Sequence, residues 1–361
     1  MKIQTVLLKY DYGKKFRGES LEKIAIFPGI VKAADEVVPF WLEENGYPDD
    51  MVGLQKNILA FSENAKPDII IFILMEYEVS LHTIKQLSKK FITLNWFCDD
   101  HWRFDDYSRH VAPKLTYSVT TDKYSIQKYK QIGIKNVILS QWATHEYVEN
   151  IDVYNVNYEY DVSFVGGKNV TREWYVHELK KQGINIECFG AGWPRGRLAY
   201  EELKNVFRKS KINLNLSDCI PYDDRMRRYL NKSIVKSFLS LNRKKYGSYY
   251  RTLKKTLSFK LESIKSKKRT EQMNGRTFEI LGSGGFQLGQ FALEIEDYLI
   301  PGKEIALFSN IDELKRQILY YLNNDNKRKL ICENGYKKAR FCTYENRFRK
   351  ILQKIALDQR G

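Results

Sequence analysis

Cysteine is scarce in this chain, and what there is cannot form a framework. The five cysteines, Cys98, Cys188, Cys219, Cys332 and Cys342, are odd in number and scattered, with no CxxC pair and no histidine cluster nearby. That excludes a disulfide scaffold and a structural zinc site, and predicts reduced, mostly buried thiols. Long hydrophobic runs are missing too. The longest, such as IIIFILM (69–75), are strand-sized, which excludes a membrane-spanning helix. At the amino end, MKIQTVLLKYDYGKK stops being apolar at Leu8 and Asp11 follows, so no signal peptide is expected and the predicted location is cytoplasmic. Composition excludes disorder in turn: 43% of residues are hydrophobic and 14% aromatic. A length of 361 residues suits two domains.

Acidic residues are nearly absent from one stretch. Between Pro221 and Thr270 stand sixteen Lys or Arg against three acids, which is thirteen of the chain's net charge of +16. Within it, Leu230, Ile234, Phe238 and Leu241, then Tyr250, Leu253, Leu257, Leu261 and Ile264, recur at helical spacing around a turn, RKKYGSYY. The pattern predicts an inserted pair of basic amphipathic helices. Their apolar stripes suit docking onto the protein itself, a membrane surface or an anionic acceptor; nucleic acid is not expected, because no recognisable motif for it is present.

The rest of the chain alternates strand and helix signals. KIQTVLL, PDIIIFILM, ITLNWF, KLTYSVTT and NVILS are near-continuous apolar runs separated by helical patterns, as in a parallel sheet covered on both faces. After an asparagine-rich joint, ENIDVYNVNYEY (149–160), the rhythm restarts with YDVSFVGG, INIECFGAGWP, KINLNLS and, past the basic stretch, GGFQLG and KEIALFS. The fold class is therefore α/β with two Rossmann-like domains, and ligands are expected beyond the carboxyl ends of the strands.

Several strand ends carry candidate chemistry. SFVGGKNVTR places Gly166, Gly167, Lys168 and Arg172 at a helix start, a fit for a diphosphate, although glycine after a strand is also ordinary turn chemistry. FGAGWPRGRL offers Gly190, Trp193, Arg195 and Arg197, either a stacking surface or a packed turn. EQMNGRTFEILGSGGFQLG (271–289) sets Glu271 and Glu279 eight apart around Arg276, then runs into Gly284 and Gly285. Glu279 is expected at the front of a short helix, as a ribose-binding carboxylate or as a cap. WFCDDHWRFDDYSRH (96–110) crowds Asp99, Asp100, His101, Arg103, Asp105, Asp106 and Arg109 into one loop, which favours function but specifies no metal. YDYGKKFRGES (10–20) adds Gly13, Lys14, Lys15 and Arg17 at the end of the first strand.

FVGG with its following arginine, CFGAGWPRGRLAYEEL, KINLNLS, and above all NGRTFEILGSGGFQL with the later PGKEIALF resemble the C-terminal half of glycosyltransferases related to the spore maturation protein CgeB, within the wider group-1 class. The resemblance covers roughly 160 to 350; NWFCDDHWRFDDYS and ILSQWA extend it more loosely into the first half. It implies the GT-B fold, two Rossmann-like domains facing across a cleft. The first would run over 1–152 and the second, binding a nucleotide sugar, over 153–340 with the insert at 221–270, while the last helix, 341–361, crosses back to the first. It implies that Glu279 binds ribose, that Lys168 and Arg172 contact the diphosphate, and that Gly284 and Gly285 form the phosphate-side turn. Glu271 takes the place of the first glutamate in the paired motif of retaining members, displaced here to the edge of the insert. A retaining transfer needs no dedicated base, because the leaving diphosphate takes the acceptor's proton; an inverting one would draw on Asp100 or His101. The implied activity is sugar transfer from a nucleotide-sugar donor to a glycan or lipid-linked acceptor in surface polysaccharide or glycoconjugate synthesis, retaining slightly favoured and metal-independent, at the inner face of the cell membrane or free in the cytoplasm. The rivals are a GT-B nucleotide-sugar epimerase and a non-enzymatic basic binding module.

Overall fold

The structure, a computed structural model, describes residues 1–145, 147, 149–216, 219, 223–226, 228, 229 and 271–359. Most of the basic segment 221–270, and with it the expected helical pair, lies outside the described residues. The chain divides into two compact units: Met1–Asn150 with Asn274–Gly282 and Lys338–Gly361, and Ile151–Met273 with Ser283–Lys337.

The first unit holds a six-stranded parallel sheet. Its strands are β1 (Lys2–Leu7), β2 (Glu36–Trp41), β3 (Ile69–Phe72), β4 (Ile92–Phe97), β5 (Tyr117–Thr120) and β6 (Val137–Leu139), in the order β2-β1-β3-β4-β5-β6. Side chains alternate across a strand, and in β3 both sets are buried: Ile69 and Ile71 join one apolar core, Ile70 and Phe72 the other. That two-sided burial is why the strand reads as an unbroken apolar run. Asp50 caps the helix Met51–Ala65 by accepting the Gly53 N–H, and Ser80 caps Leu81–Leu87 through Thr83. The helix Tyr344–Asp358 buries Tyr344, Phe348, Ile351, Leu352 and Ile355 in the core shared with Ile69 and Ile71. It packs on the helix Phe27–Ala33 where Gly29 leaves no room for a side chain: a Cβ there would lie 2.5 Å from Tyr344 Cβ.

The second unit holds five parallel strands, β7 (Tyr160–Val165), β8 (Glu187–Phe189), β9 (Ser210–Asn215), β10 (Gln287–Gln290) and β11 (Ala306–Phe308), in the order β11-β10-β9-β7-β8. Numbered within the unit this is 2-1-3-4-5, the same order as the first five strands of the first unit. In each sheet the strand order therefore reverses once, between β1 and β3 and between β7 and β9, and ligand crevices open at such points. The helix Gly275–Gly282 was expected in the second domain but groups with the first unit. Gly282 lies against Thr144, where a Cβ would come within 2.4 Å of its hydroxyl, and the Arg347 guanidinium lies 5.5 Å from the Phe278 ring. No helix among the described residues is long and apolar enough to cross a membrane.

Candidate functional site

In the second unit, the loop after β7 is built from backbone crossings. Gly166 N–H bonds Phe189 O at 2.9 Å and Lys168 N–H bonds Ala191 O at 2.8 Å, which ties this loop to the one after β8. Gly190, at φ +123°, passes so close that a Cβ would sit 2.3 Å from Gly166 O; only glycine fits. Trp193 braces the same point, its indole N–H donating to Gly166 O at 3.0 Å and its ring meeting the edge of Phe164 at 6.2 Å. The expected stacking surface is thus a half-buried strut, with the Lys168 ammonium 5.4 Å from the ring centroid.

Arg172 spans the reversal point. Asn169 caps the helix Val170–Lys180 by accepting the Arg172 N–H at 2.9 Å. The guanidinium then donates to Gly167 O after β7 at 2.9 Å and to Leu216 O after β9 at 3.2 Å. Lys168 stands beside it, 35% exposed and 2.9 Å from Glu173. Above Gly167 the space is open, with nothing within 4 Å of a Cβ placed there. Two cations, a capped helix start and an open glycine loop thus meet where a parallel sheet reverses, which suits a diphosphate.

Glu271 also belongs to this unit. At the carboxyl end of β10, Gln290 donates its side-chain amide to Glu271 at 2.8 Å and lies 3.4 Å from the Tyr175 hydroxyl, one helical turn beyond Arg172. Burial, and next the Glu271 charge, push the Tyr175 hydroxyl pKa up. Gly284 adopts φ +72° with Ile151 2.9 Å from a would-be Cβ, and it accepts a hydrogen bond from Cys332. Both it and Gly285 are buried, and this packing alone accounts for a glycine at 284.

Glu279 and Arg276 lie in the first unit. Glu279 is in the second turn of Gly275–Gly282, not at its front as expected; it is 2% exposed and paired with Arg276. The ion pair follows from the i, i+3 spacing that the sequence already shows.

The loaded loop after β4 divides by burial. Asp100 is fully buried and accepts the Tyr129 hydroxyl at 2.8 Å; burial pushes its carboxyl up to about 6 against hydrogen bonds from Ser108, Thr120 and Tyr129. It holds the loop from within, out of reach of a solvent-borne hydroxyl. His101 is half-buried beside it. Arg103, Asp106 and Tyr107 instead line a cleft of about 340 Å³ with Tyr47, Met51, Glu76, Tyr77 and Glu78. Tyr107 fixes one wall by donating to Glu76 O at 2.6 Å, and Glu78 another by accepting the N–H groups of Met75 and Glu76.

Two carboxylates escaped the sequence reading. Burial raises the Glu78 pKa, and pushes Glu22 up to about 7; a backbone N–H and Ser20 oppose this, and the nearby charges of Asp11 and Glu78 add a little. Glu22 follows the stretch YDYGKKFRGES by two residues, and a lone glutamate at a helix start carries no signal of burial. Glu78, in MEYEVS just past β3, had the same strand-end position that singled out the loop after β4. Among the described residues no group of His, Cys, Asp and Glu is placed to hold a metal, and all five cysteines are buried and outside any disulfide.

Comparison with known proteins adds the family. A model described as glycosyl transferase-like matches residues 171–353, just over half the chain. No curated protein matches. Among solved structures, Anabaena Alr3699/HepE in complex with UDP and glucose is similar with a TM-score of 0.59 at 10% identity, covering 98% of this chain and 99% of that one. The apo lipopolysaccharide outer core galactosyltransferase WaaB gives 0.57 at 12% identity over 98% and 100%. A putative UDP-N-acetylglucosamine 2-epimerase from Listeria monocytogenes gives 0.53 at 10% identity over 98% and 95%. Against TarM the chain spans only 58% of that chain's length. Such identities establish the fold, GT-B, and no more. With two Rossmann-like parallel sheets and a family match over 171–353, the chain belongs to the glycosyl transferase-like family.

Proposed function

We propose that this protein transfers a sugar from a nucleotide-diphosphate donor to a glycan or lipid-linked acceptor, in surface polysaccharide or glycoconjugate synthesis, and that it is kin to the CgeB-type enzymes. The observation that carries the donor class is Arg172, which joins the loops after β7 and β9 beneath an open glycine turn with Lys168 alongside. In the transition state negative charge grows on the leaving diphosphate; fixed cations at that place stabilise it without any metal. Isothermal titration against a panel of nucleoside diphosphates tests this. One member should bind, and Arg172→Ala should weaken it at least about tenfold, the scale of a lost charged hydrogen bond. Glu279→Ala belongs in the same titration, because the family resemblance gives that residue the ribose.

Retention is the stereochemical course we adopt. Of the two bases foreseen for inversion, Asp100 is fully buried and His101 half-buried beside it. Glu22 and Glu78, both with raised pKa, are further carboxylates of the same unit, and Glu22 is the one raised to about 7. If transfer retains configuration, Glu22→Gln keeps turnover within a few-fold; a loss of about 10²–10⁴ would make Glu22 a general base and the reaction inverting. The likeness to a putative epimerase supports a second reading. An isomerised sugar nucleotide released without acceptor would establish it.

A further inference from the structure

The loop after β1 carries side chains that sugar transfer leaves without a role. Tyr10 and Glu19 close its base as an antiparallel bridge, and Asp11 N–H bonds Gly18 O at 3.0 Å. Gly13 N–H to Tyr10 O and Arg17 N–H to Lys14 O, each 2.8 Å, form two tight turns within it. Gly13 and Gly18 take φ of +67° and +87° where the chain reverses. On this braced backbone Phe16 is 86% exposed, more than any other large hydrophobic side chain among the described residues, and Tyr12 is 61% exposed. The loop's acids are already matched, Asp11 by Arg17 at 2.8 Å and Glu19 by Lys23. Lys14 and Lys15 are exposed and have no acidic partner among the described residues.

We propose that Tyr10–Glu19 docks the protein onto an anionic lipid surface, with Phe16 entering the headgroup boundary and Lys14 and Lys15 meeting acidic headgroups. A projecting ring buries its area only in a medium that closes round it; a bilayer does so, and the two uncompensated cations select an acidic one. The loop's seat gives the docking a consequence. A Cβ at Gly13 would lie 2.5 Å from the Tyr47 ring, and Tyr47 lines the cleft of the same unit together with the exposed Met51 and Tyr77. Docking through this loop holds that cleft at the lipid surface, where a lipid-linked acceptor would be presented. That last step rests on the sugar-transfer reading; the docking does not.

A reporter at position 16 tests the docking on the full chain. Because the native cysteines are all buried, an environment-sensitive dye attaches selectively to Phe16→Cys, and to Lys89→Cys as control, an exposed site ahead of the amino end of β4. Vesicles of phosphatidylglycerol and phosphatidylcholine should shift the dye at 16 to the blue and leave the dye at 89 unchanged, while phosphatidylcholine alone shifts neither. In unlabelled protein, Lys14→Glu with Lys15→Glu should lower vesicle partition by at least roughly fivefold per lysine. The basic segment 221–270 adds its own attraction, so the label's position decides. No shift at 16, an equal shift at 89, or partition unaffected by the double substitution overturns the proposal. A double substitution that abolishes binding to a DNA or RNA duplex but spares vesicle partition overturns it as well, and assigns the loop to nucleic acid.

Discussion

Glu22 shows what single residues add to the sequence and what they conceal. Its carboxyl titrates near 7 because the fold crowds it, so the folded state holds the proton more tightly than the unfolded chain, whose pKa is about 4.5. Below pH 4.5 both states are protonated and the residue is neutral in the balance. Between 4.5 and 7 stability falls as pH rises, and above 7 the full penalty of a partly desolvated charge, at most about 3 kcal/mol, is present. Glu22→Gln should therefore stabilise the protein at pH 8 relative to wild type, with the gain shrinking towards pH 4; a gain constant across that range would contradict the shift. None of this was legible in the sequence. The glycines were: Gly166, Gly167 and Gly190 stood out after strands, although the reason for Gly190, a carbonyl 2.3 Å from where its Cβ would be, is a contact between two loops that no local pattern encodes. Asp100 went the other way. A cluster of charges in one loop looked functional as a whole, yet burial separates Asp100, which holds the loop, from Arg103 and Asp106, which line the cleft.

Elements were the most legible scale, because periodicity reports burial directly. The stripe Tyr344, Phe348, Ile351, Leu352 and Ile355 is buried throughout, none above 3% exposed. Phe348 sits edge-on to Trp96 at 6.0 Å in the first unit's core, so Phe348→Ala should cost about 3–5 kcal/mol in urea unfolding, against less than about 0.5 for the exposed Lys350→Ala. Equal costs would mean that the helix does not anchor the unit. Short elements were legible where an apolar run marked them: the three-residue strands β6, β8 and β11 lie within NVILS, INIECFGAGWP and KEIALFS. The sequence did not show that Glu279, spaced to pair with Arg276, would be buried in the second turn of Gly275–Gly282.

At the scale of the whole molecule, the repeated β-α rhythm made two parallel sheets legible, and the 2-1-3-4-5 order recurs in both, with a sixth strand added in the first. The division of the chain was not fully legible, because Asn274–Gly282, read as part of the second domain, groups with the first unit, whereas the return of the last helix, 341–361, was already an expectation from the family resemblance. The basic segment, so prominent in composition, lies mostly outside the described residues. The central proposal is the donor: a diphosphate held where β7 and β9 part. Titration with nucleoside diphosphates measures that most directly. We expect one member of the panel to bind the wild-type protein and to bind Arg172→Ala at least about tenfold more weakly; no binding by any of them, or an affinity untouched by the substitution, would contradict it.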